Sequence, residues 1–285
     1  MADIIQRDGT WTFDDDVLRL VPGGDRSLAP LRRELGELAV PLEAIRGVSI
    51  ERGRKAGRLR LRLRDGADPL VQVAGGRLHD ASDPYQLTVE PGRYGVAEYL
   101  VDEIRAALRL AGTESGPVDG YLLPGPAVPL TVAAGDGSVS FDGETVRLEW
   151  NWKTNDAKSA AGPRTLPLGE ITAVEWQPSM AMENGYLRFT VRGQTGKSAP
   201  KHDPHAVELW GFKKDPLMAL AAAAVQARLP HPHAVDKAPK TLGGPASDDH
   251  DVLLRRLQEL GELHRGGVLT DEEFSVAKQA VLRKM

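Results

Sequence analysis

The chain has 285 residues, of which 41% are hydrophobic and 5% aromatic, and its formal net charge is -4 at pH 7. This length fits about two domains, and the nearly balanced charge excludes a chain-wide attraction to nucleic acid or anionic membranes. The chain has no cysteine, which excludes disulfides, thiolate catalysis and cysteine metal sites.

The cellular location can also be predicted. Residues 1–8 are polar and lack the apolar core of a secretory signal. The longest apolar run, residues 217–225, is about half as long as a membrane-spanning helix needs to be. The sequence therefore predicts a cytoplasmic protein, with no nucleic-acid partner.

Three blocks of sequence occur twice, in the same order and at a nearly constant separation of about 126 to 128 residues. Residues 9–14 match 137–142, residues 40–48 match 166–174, and residues 57–64 match 185–192. Because this separation is too long for a solenoid unit, we predict a duplicated domain. The first copy spans residues 1–112 and the second spans residues 124–230.

Each copy has the pattern of a small β domain that ends in a helix. Asp-Gly and Asn-Gly pairs separate short alternating runs, as in β-hairpins. In the first copy Leu59, Leu61 and Leu63 alternate with arginines, so these leucines share one strand face. A closing helix is predicted over 96–110 in the first copy, where Leu100, Ile104 and Leu108 recur at helical spacing. In the second copy Asp215 is the predicted cap, with a proline at the first helical position.

Several antiparallel strands followed by one helix resemble a pleckstrin-homology-like (PH-like) domain. In that fold the helix closes one end of a strongly bent sheet. The resemblance implies an α+β protein with two tandem PH-like domains.

The rest of the chain is predicted to be a linker and a helical hairpin. Residues 231–247 are rich in Pro, Gly, Lys and His, which is typical of a flexible linker. In residues 248–285, Gly266 and Gly267 end a first helix, and Thr270 with Glu273 forms a capping box for a second. A segment of roughly 40 residues needs external support, so its apolar side chains are predicted to mediate oligomerisation. These candidates are Leu253, Leu257, Leu260, Leu269, Phe274 and Val281.

The hairpin also carries a recognisable motif, Leu257-x-x-Leu260-x-x-Leu263-His264-x-Gly266-Gly267-Val268-Leu269-Thr270-x-x-Glu273-Phe274-x-x-x-Lys278. This motif resembles the SHOCT (short C-terminal) domain. The whole chain then resembles an actinobacterial domain-of-unknown-function family in which PH-like domains precede a SHOCT tail. The resemblance implies self-association through the tail and assigns no activity.

No residue set predicts catalysis, a cofactor or a metal. Residues 193–198 lack the first glycine of a phosphate-binding loop. The pairs His202/His205 and His231/His233 lie in Pro-rich loops without a third ligand at a familiar spacing. We therefore predict a non-enzymatic interaction or scaffold protein, in which the PH-like domains bind a protein partner and the hairpin mediates oligomerisation.

A basic stretch in the first copy is the strongest local signal for binding. Its candidate residues for anion or partner binding are Arg52, Arg54, Lys55, Arg58, Arg60, Arg62 and Arg64. PH-like domains that bind phospholipid headgroups often use basic residues on an early hairpin. The alternative function is therefore a peripheral membrane or anionic-ligand module, with anionic lipid as a partner. A third interpretation is a solvated sheet face whose arginines prevent edge-to-edge pairing.

The matching stretch of the second copy is neutral and has an apolar turn. Trp176, Met180 and Met182 flank this turn. If these side chains are exposed, they form an apolar contact patch.

Overall fold

The two sequence repeats have the same order of strands and end in a helix, which confirms a tandem duplication. The computed structural model describes residues 1–194 and 196–234, so the predicted hairpin 248–285 and its six candidate residues lie outside the described residues. The described part is α+β and contains four small antiparallel sheets. None of its helices combines the length and apolar character that crossing a bilayer requires.

The first repeat consists of a four-stranded sheet, a three-stranded sheet and a closing helix. The first sheet has the order β1-β2-β3-β4 and is formed by β1 (Ala2–Gln6), β2 (Gly9–Asp14), β3 (Val17–Pro22) and β4 (Leu38–Pro41). The second has the order β5-β6-β7 and is formed by β5 (Ile45–Glu51), β6 (Gly57–Leu63) and β7 (Gln86–Val89). The helices are α1 (Pro30–Leu35), α2 (Pro69–Ala74) and α3 (Tyr94–Ala111), with 3-10 turns at Leu42–Ala44 and Pro91–Arg93.

The core of the first repeat lies between its two sheets and α3. Leu59 and Leu61 are buried, as their alternation with arginines predicts. Helix α3 contributes Leu100 and Ile104 at helical spacing and packs against β5 and β1. The helix predicted over 96–110 is therefore present and is slightly longer at both ends.

The second repeat has the same strand order. Its four-stranded sheet has the order β11-β10-β9-β8 and is formed by β8 (Leu130–Ala134), β9 (Gly137–Phe141), β10 (Thr145–Trp150) and β11 (Arg164–Pro167). Its three-stranded sheet has the order β12-β13-β14 and is formed by β12 (Ile171–Gln177), β13 (Gly185–Val191) and β14 (Ala206–Leu209). The helices are α4 (Asp156–Ala161) and α5 (Met218–Gln226), with 3-10 turns at Leu168–Glu170 and Asp215–Leu217.

The predicted start of the second closing helix is wrong. Asp215 lies inside a 3-10 turn, and α5 begins at Met218. The Asp215 carboxylate accepts the backbone N–H groups of Gly211 (2.7 Å) and Phe212 (3.1 Å). It therefore fixes the loop before the helix instead of capping the helix itself.

Helix α5 is buried on every side from Met218 to Val225. The reason is α2, an element of the first repeat, which packs directly against it. Leu70 and Val73 of α2 belong to the apolar cluster of the second repeat. The alanine-rich composition of α5 suits this position because small side chains let two helices approach closely.

The start of the predicted linker also lies against the first repeat. His231 Nε2 is 2.9 Å from the carbonyl oxygen of Gly66, and the His231 ring packs edge-on against Tyr121. His233 Nε2 is 3.4 Å from a carboxylate oxygen of Asp65. Residues 231–234 thus connect the end of the second repeat to a turn of the first.

Candidate functional site

The β5–β6 hairpin carries the predicted basic stretch, and much of its charge is engaged in contacts within the protein. Arg52 Nε donates to Glu98 Oε1 at 2.9 Å. Arg58 pairs with Asp80, and Arg60 Nη2 lies 3.7 Å from the same carboxylate. These exposed pairs reduce the positive field that the hairpin presents to solvent.

The remaining basic residues divide into one structural and three exposed side chains. Arg64 Nε donates to the carbonyl of Gly116 at 2.8 Å, which attaches the inter-repeat segment to β6. Arg54, Lys55 and Arg62 are exposed and form no ion pair with another described residue. The structure therefore brings the seven predicted residues onto one hairpin but leaves only three of them available to an external anion.

The second repeat carries an exposed aromatic cluster at one end. Trp152 is 89% exposed and Phe212 is 57% exposed, with Trp210 partly buried beside them. The ammonium nitrogen of Lys153 lies 5.4 to 5.5 Å from all three ring centroids, within the range of a cation–π contact. The lysine therefore holds three rings from two separate loops in one surface.

Two exposed methionines extend this surface. Met180 and Met182 lie in the β12–β13 loop, and Met180 is 59% exposed while Met182 is fully exposed. The base of this loop lies beside Gly211, the residue between Trp210 and Phe212, because a Cβ on Gly211 would be 3.4 Å from the Ser179 hydroxyl oxygen. Trp176, by contrast, is buried in the core. We call the surface formed by Trp152, Trp210, Phe212, Met180 and Met182 the aromatic patch.

The predicted apolar turn is thus only part of the surface. The sequence indicates Met180 and Met182 but not Trp152, Trp210 or Phe212. One sequence feature points to this surface. Trp152 follows the end of β10 in a polar stretch, where no alternating pattern predicts that its side chain is buried.

An acid–base contact occurs at the same place in both repeats, and it is fully buried in the second. In the second repeat, Asp136 Oδ2 is 2.5 Å from Lys158 Nζ, and Asp136 Oδ1 accepts the backbone N–H of Glu208 at 2.8 Å. Both side chains are almost completely buried. The contact joins the β8–β9 turn, α4 and β14, and we call it the carboxylate clamp. Burial raises the pKa of the Asp136 carboxyl, against the opposing effect of the Lys158 ammonium.

The first repeat has an equivalent but looser clamp. Asp8 Oδ2 accepts the backbone N–H of Thr88 at 3.0 Å and lies 3.4 Å from Arg32 Nη1. The sequence signal for both clamps is the repeated pair Asp8-Gly9 and Asp136-Gly137, which the pattern indicates only as turns. The clamps position three elements against one another, which is a structural role.

The histidine pairs contact other protein groups in the structure. His202 Nδ1 lies 3.3 Å from Asn155 Oδ1, and His231 contacts the Gly66 carbonyl. Within residues 1–194 and 196–234, no group of three or more His, Cys, Asp or Glu side chains is arranged to hold a metal ion.

Comparison with known proteins gives one family. The family model described as "Domain of unknown function (DUF4429)" matches the chain twice, over residues 11–105 and 139–226. The two matches correspond to the two structural repeats. A search of curated proteins finds no match.

Proposed function

The chain belongs to the family of the domain of unknown function DUF4429, and we propose that it is a non-enzymatic interaction protein whose second repeat binds a protein partner. The aromatic patch is the observation that carries this proposal. Trp, Phe and Met are enriched in the cores of protein interfaces, and buried Trp side chains often dominate the binding energy.

The surroundings of the patch indicate the chemistry of the partner. Lys153 lies among the rings, and the exposed residues Lys213 and Lys214 follow Phe212 directly. The rim is basic on the side of these lysines, which complements a partner segment in which apolar side chains are flanked by Asp or Glu.

We propose a PH-like fold for both repeats. The arrangement that supports it is a four-stranded sheet, a three-stranded sheet and a helix after the last strand, present twice. In this interpretation the aromatic patch is formed by loops, which tolerate variation between the repeats better than the sheets do.

The patch proposal is tested with a matched pair of double variants. Trp152→Ala/Phe212→Ala is expected to weaken partner binding by about 30-fold or more, because truncating an interface hot spot costs about 2 kcal/mol or more. The control is Leu110→Ala/Tyr99→Ala on α3, whose side chains have the same exposed fractions, 89% and 57%. Quantitative affinity enrichment from native lysate, followed by affinity measurement on the purified partner, gives the result.

Two outcomes contradict a protein partner. Equal enrichment with the two double variants shows that the patch is not the binding surface. Co-flotation with anionic vesicles that is lost only in Trp152→Ala/Phe212→Ala assigns the patch to a membrane. The alternative proposal, an anionic ligand at the β5–β6 hairpin, relies on Arg54, Lys55 and Arg62, the exposed residues of the stretch that form no ion pair with another described residue.

We further propose that residues 248–285 form a SHOCT-like tail that oligomerises the chain and thereby raises the avidity of the patch. The support is the sequence motif and the small size of the segment. Deleting residues 248–285 is expected to lower the number of subunits, calculated from the native mass measured by light scattering, and Leu257→Asp in the full chain is expected to do the same. An unchanged number of subunits in both would contradict the tail's role. The absence of cysteine fits a cytoplasmic location.

A further inference from the structure

An apolar groove of about 360 Å³ runs along β8, the outer strand of the four-stranded sheet in the second repeat. Its other lining residues come from α1 of the first repeat, the segment between the repeats, the 3-10 turn before α5, and α5 itself. Val132 and Leu220 in the lining are buried, and Leu35 and Leu217 are partly buried. Because both repeats contribute residues, the groove exists only where they meet.

The groove lies against the open edge of β8 and not against one face of the sheet. Successive residues of a strand point to opposite faces, so a pocket on one face would be lined by alternate residues. Here four consecutive residues line it, from Leu130 to Ala133. The opposite edge of β8 is paired with β9, and β8 is the last strand of its sheet. An extended chain can therefore approach β8 edge-on.

Two residues of β8 direct their backbone hydrogen-bonding groups toward this open edge. Ala134 and Gly137 are paired on either side of a two-residue turn, so each donates to and accepts from the other. Alternation along an antiparallel pair then turns the N–H and C=O groups of Thr131 and Ala133 away from β9. These groups form no backbone hydrogen bond with another described residue. Such an edge is a template for an added strand.

The first repeat bridges the same edge at one end. Its β1 is the counterpart of β8 and contacts β7, and the Gln6 side chain at the end of β1 accepts the backbone N–H of Glu90 at 3.1 Å. In the second repeat Ala134 stands at the position of Gln6, and Trp210 stands at that of Glu90. An alanine side chain cannot accept a hydrogen bond, so this bridge is lost in the second repeat.

The groove adjoins the aromatic patch. Lys214 lines the groove, and Phe212 of the patch lies two residues before it. After the end of β8, the Asn151 side chain donates to the carbonyl of Gly135 at 2.9 Å, and the next residue after Asn151 is Trp152 of the patch. One partner can therefore contact the patch and the open edge of β8 together.

The lining indicates the chemistry of a strand bound in the groove. An extended segment beside β8 directs alternate side chains, about 7 Å apart, toward the apolar lining, so apolar residues are expected at every second position. Lys214 and Glu34 are exposed at the groove, which suits an acidic residue near the first and a basic residue near the second. The acidic residue agrees with the partner chemistry expected beside the patch.

We propose that the partner of the aromatic patch contributes an extended segment of about five residues, which pairs with β8 and adds a strand to the sheet of the second repeat. This inference rests on the proposed function of the patch and names the form of the partner. In such complexes main-chain hydrogen bonds, here to Thr131 and Ala133, provide affinity, and pockets for alternate side chains provide specificity.

The first test is site-specific photo-crosslinking of the full chain in living cells. A photoreactive phenylalanine replaces Thr131, Ala133 or Phe212 in separate experiments, with Asp3 and Ile5, the exposed counterparts on β1, as controls. The side chains of Thr131 and Ala133 are exposed, so the new residue does not block the edge. We expect one partner protein to be crosslinked from positions 131, 133 and 212 and none from positions 3 and 5.

A proline variant tests the main-chain pairing. Ala133→Pro removes an N–H from the open side of an edge strand, where proline is tolerated. It is expected to weaken binding of the purified partner, the protein crosslinked from position 212, by about tenfold or more. The matched control Ile5→Pro, which removes the equivalent N–H of β1, should leave binding unchanged. Hydrogen exchange of the wild-type complex needs no variant, and the Thr131 and Ala133 amides should exchange about tenfold or more slowly than in the free chain.

The outcomes separate this proposal from the function on which it rests. A protein crosslinked from position 212 but not from 131 or 133 leaves the patch as a binding surface and overturns strand addition. Absence of any protein crosslink overturns both, and a crosslink from 131 and 133 without one from 212 contradicts the patch and its continuation along β8. Crosslinks from 131 and 133 only to another copy of this chain overturn strand addition by a partner. Unchanged exchange of the Thr131 and Ala133 amides in the complex excludes main-chain pairing and overturns it as well.

Discussion

Replacing Lys158 with Met is expected to lower the free energy of unfolding by about 3–5 kcal/mol, because it leaves the Asp136 carboxylate buried and without its cationic partner. The matched control is Arg147→Met. Arg147 forms an ion pair with Glu149 that is about half exposed, and such pairs contribute about 0–1 kcal/mol. Urea denaturation of the wild type, Lys158→Met and Arg147→Met measures the three free energies of unfolding.

The loss in Lys158→Met is expected to depend on pH. Burial raises the pKa of Asp136 in the folded protein, and removing Lys158 takes away the main influence that lowers it. A carboxyl with a raised folded-state pKa binds its proton more tightly when folded, so stability falls as pH rises from the unfolded pKa through the folded pKa. The difference from wild type should therefore shrink in acid and grow toward neutral pH.

A double variant separates this charge effect from packing. Asp136→Asn in the Lys158→Met background removes the unpaired charge but keeps an acceptor for the Glu208 N–H. We expect it to recover part of the stability at neutral pH. A loss in Lys158→Met that is the same at every pH, with no recovery in the double variant, would contradict a charged clamp.

Replacing Leu70 with Ala is expected to destabilise both repeats together, by about 2–5 kcal/mol. Leu70 is buried and lies on α2 in the first repeat, yet it packs in the apolar cluster of the second. The control is Val71→Ala on the same helix, where the side chain is 40% exposed and the expected loss is under about 1 kcal/mol.

Cooperativity is the sharper readout for this contact between repeats. Hydrogen exchange of β2 and β12 should report one unfolding transition in wild type, because α5 is enclosed by both repeats. Leu70→Ala should lower the protection of both strands. Protection that falls in β12 alone would show that the two repeats unfold independently, and protection that falls in neither strand would contradict a stabilising role of Leu70.

Local pattern was sufficient to predict the strands and the closing helix of each repeat, and the recurrence of three sequence blocks predicted the duplication. Alternation placed Leu59 and Leu61 in the core, and helical spacing placed Leu100 and Ile104 on the buried face of α3. Each of these signals depends only on a residue and its near neighbours in the chain. The packing of α2 against α5 could not be predicted in this way, since it joins elements of different repeats.

The candidate sites also depend on contacts between distant parts of the chain, which local pattern does not predict. The basic stretch is visible in the sequence, but Asp80, which pairs with Arg58 and Arg60, comes from a loop and Glu98 comes from a helix. Whether these basic side chains are paired or available to a ligand therefore depends on the tertiary structure. Exposure of Trp152 and burial of Trp176 likewise depend on which elements pack over each residue, and residue type alone does not distinguish them.

The most direct test of the central proposal is site-specific photo-crosslinking in living cells. A photoreactive phenylalanine at Phe212 of the aromatic patch is compared with the same residue at Tyr99 on α3, which is equally exposed. We expect a discrete protein crosslink from position 212 and none from position 99, with the crosslink lost when Trp152 is also replaced by Ala. No protein crosslink at position 212, or the same products from both positions, would contradict partner binding through the patch.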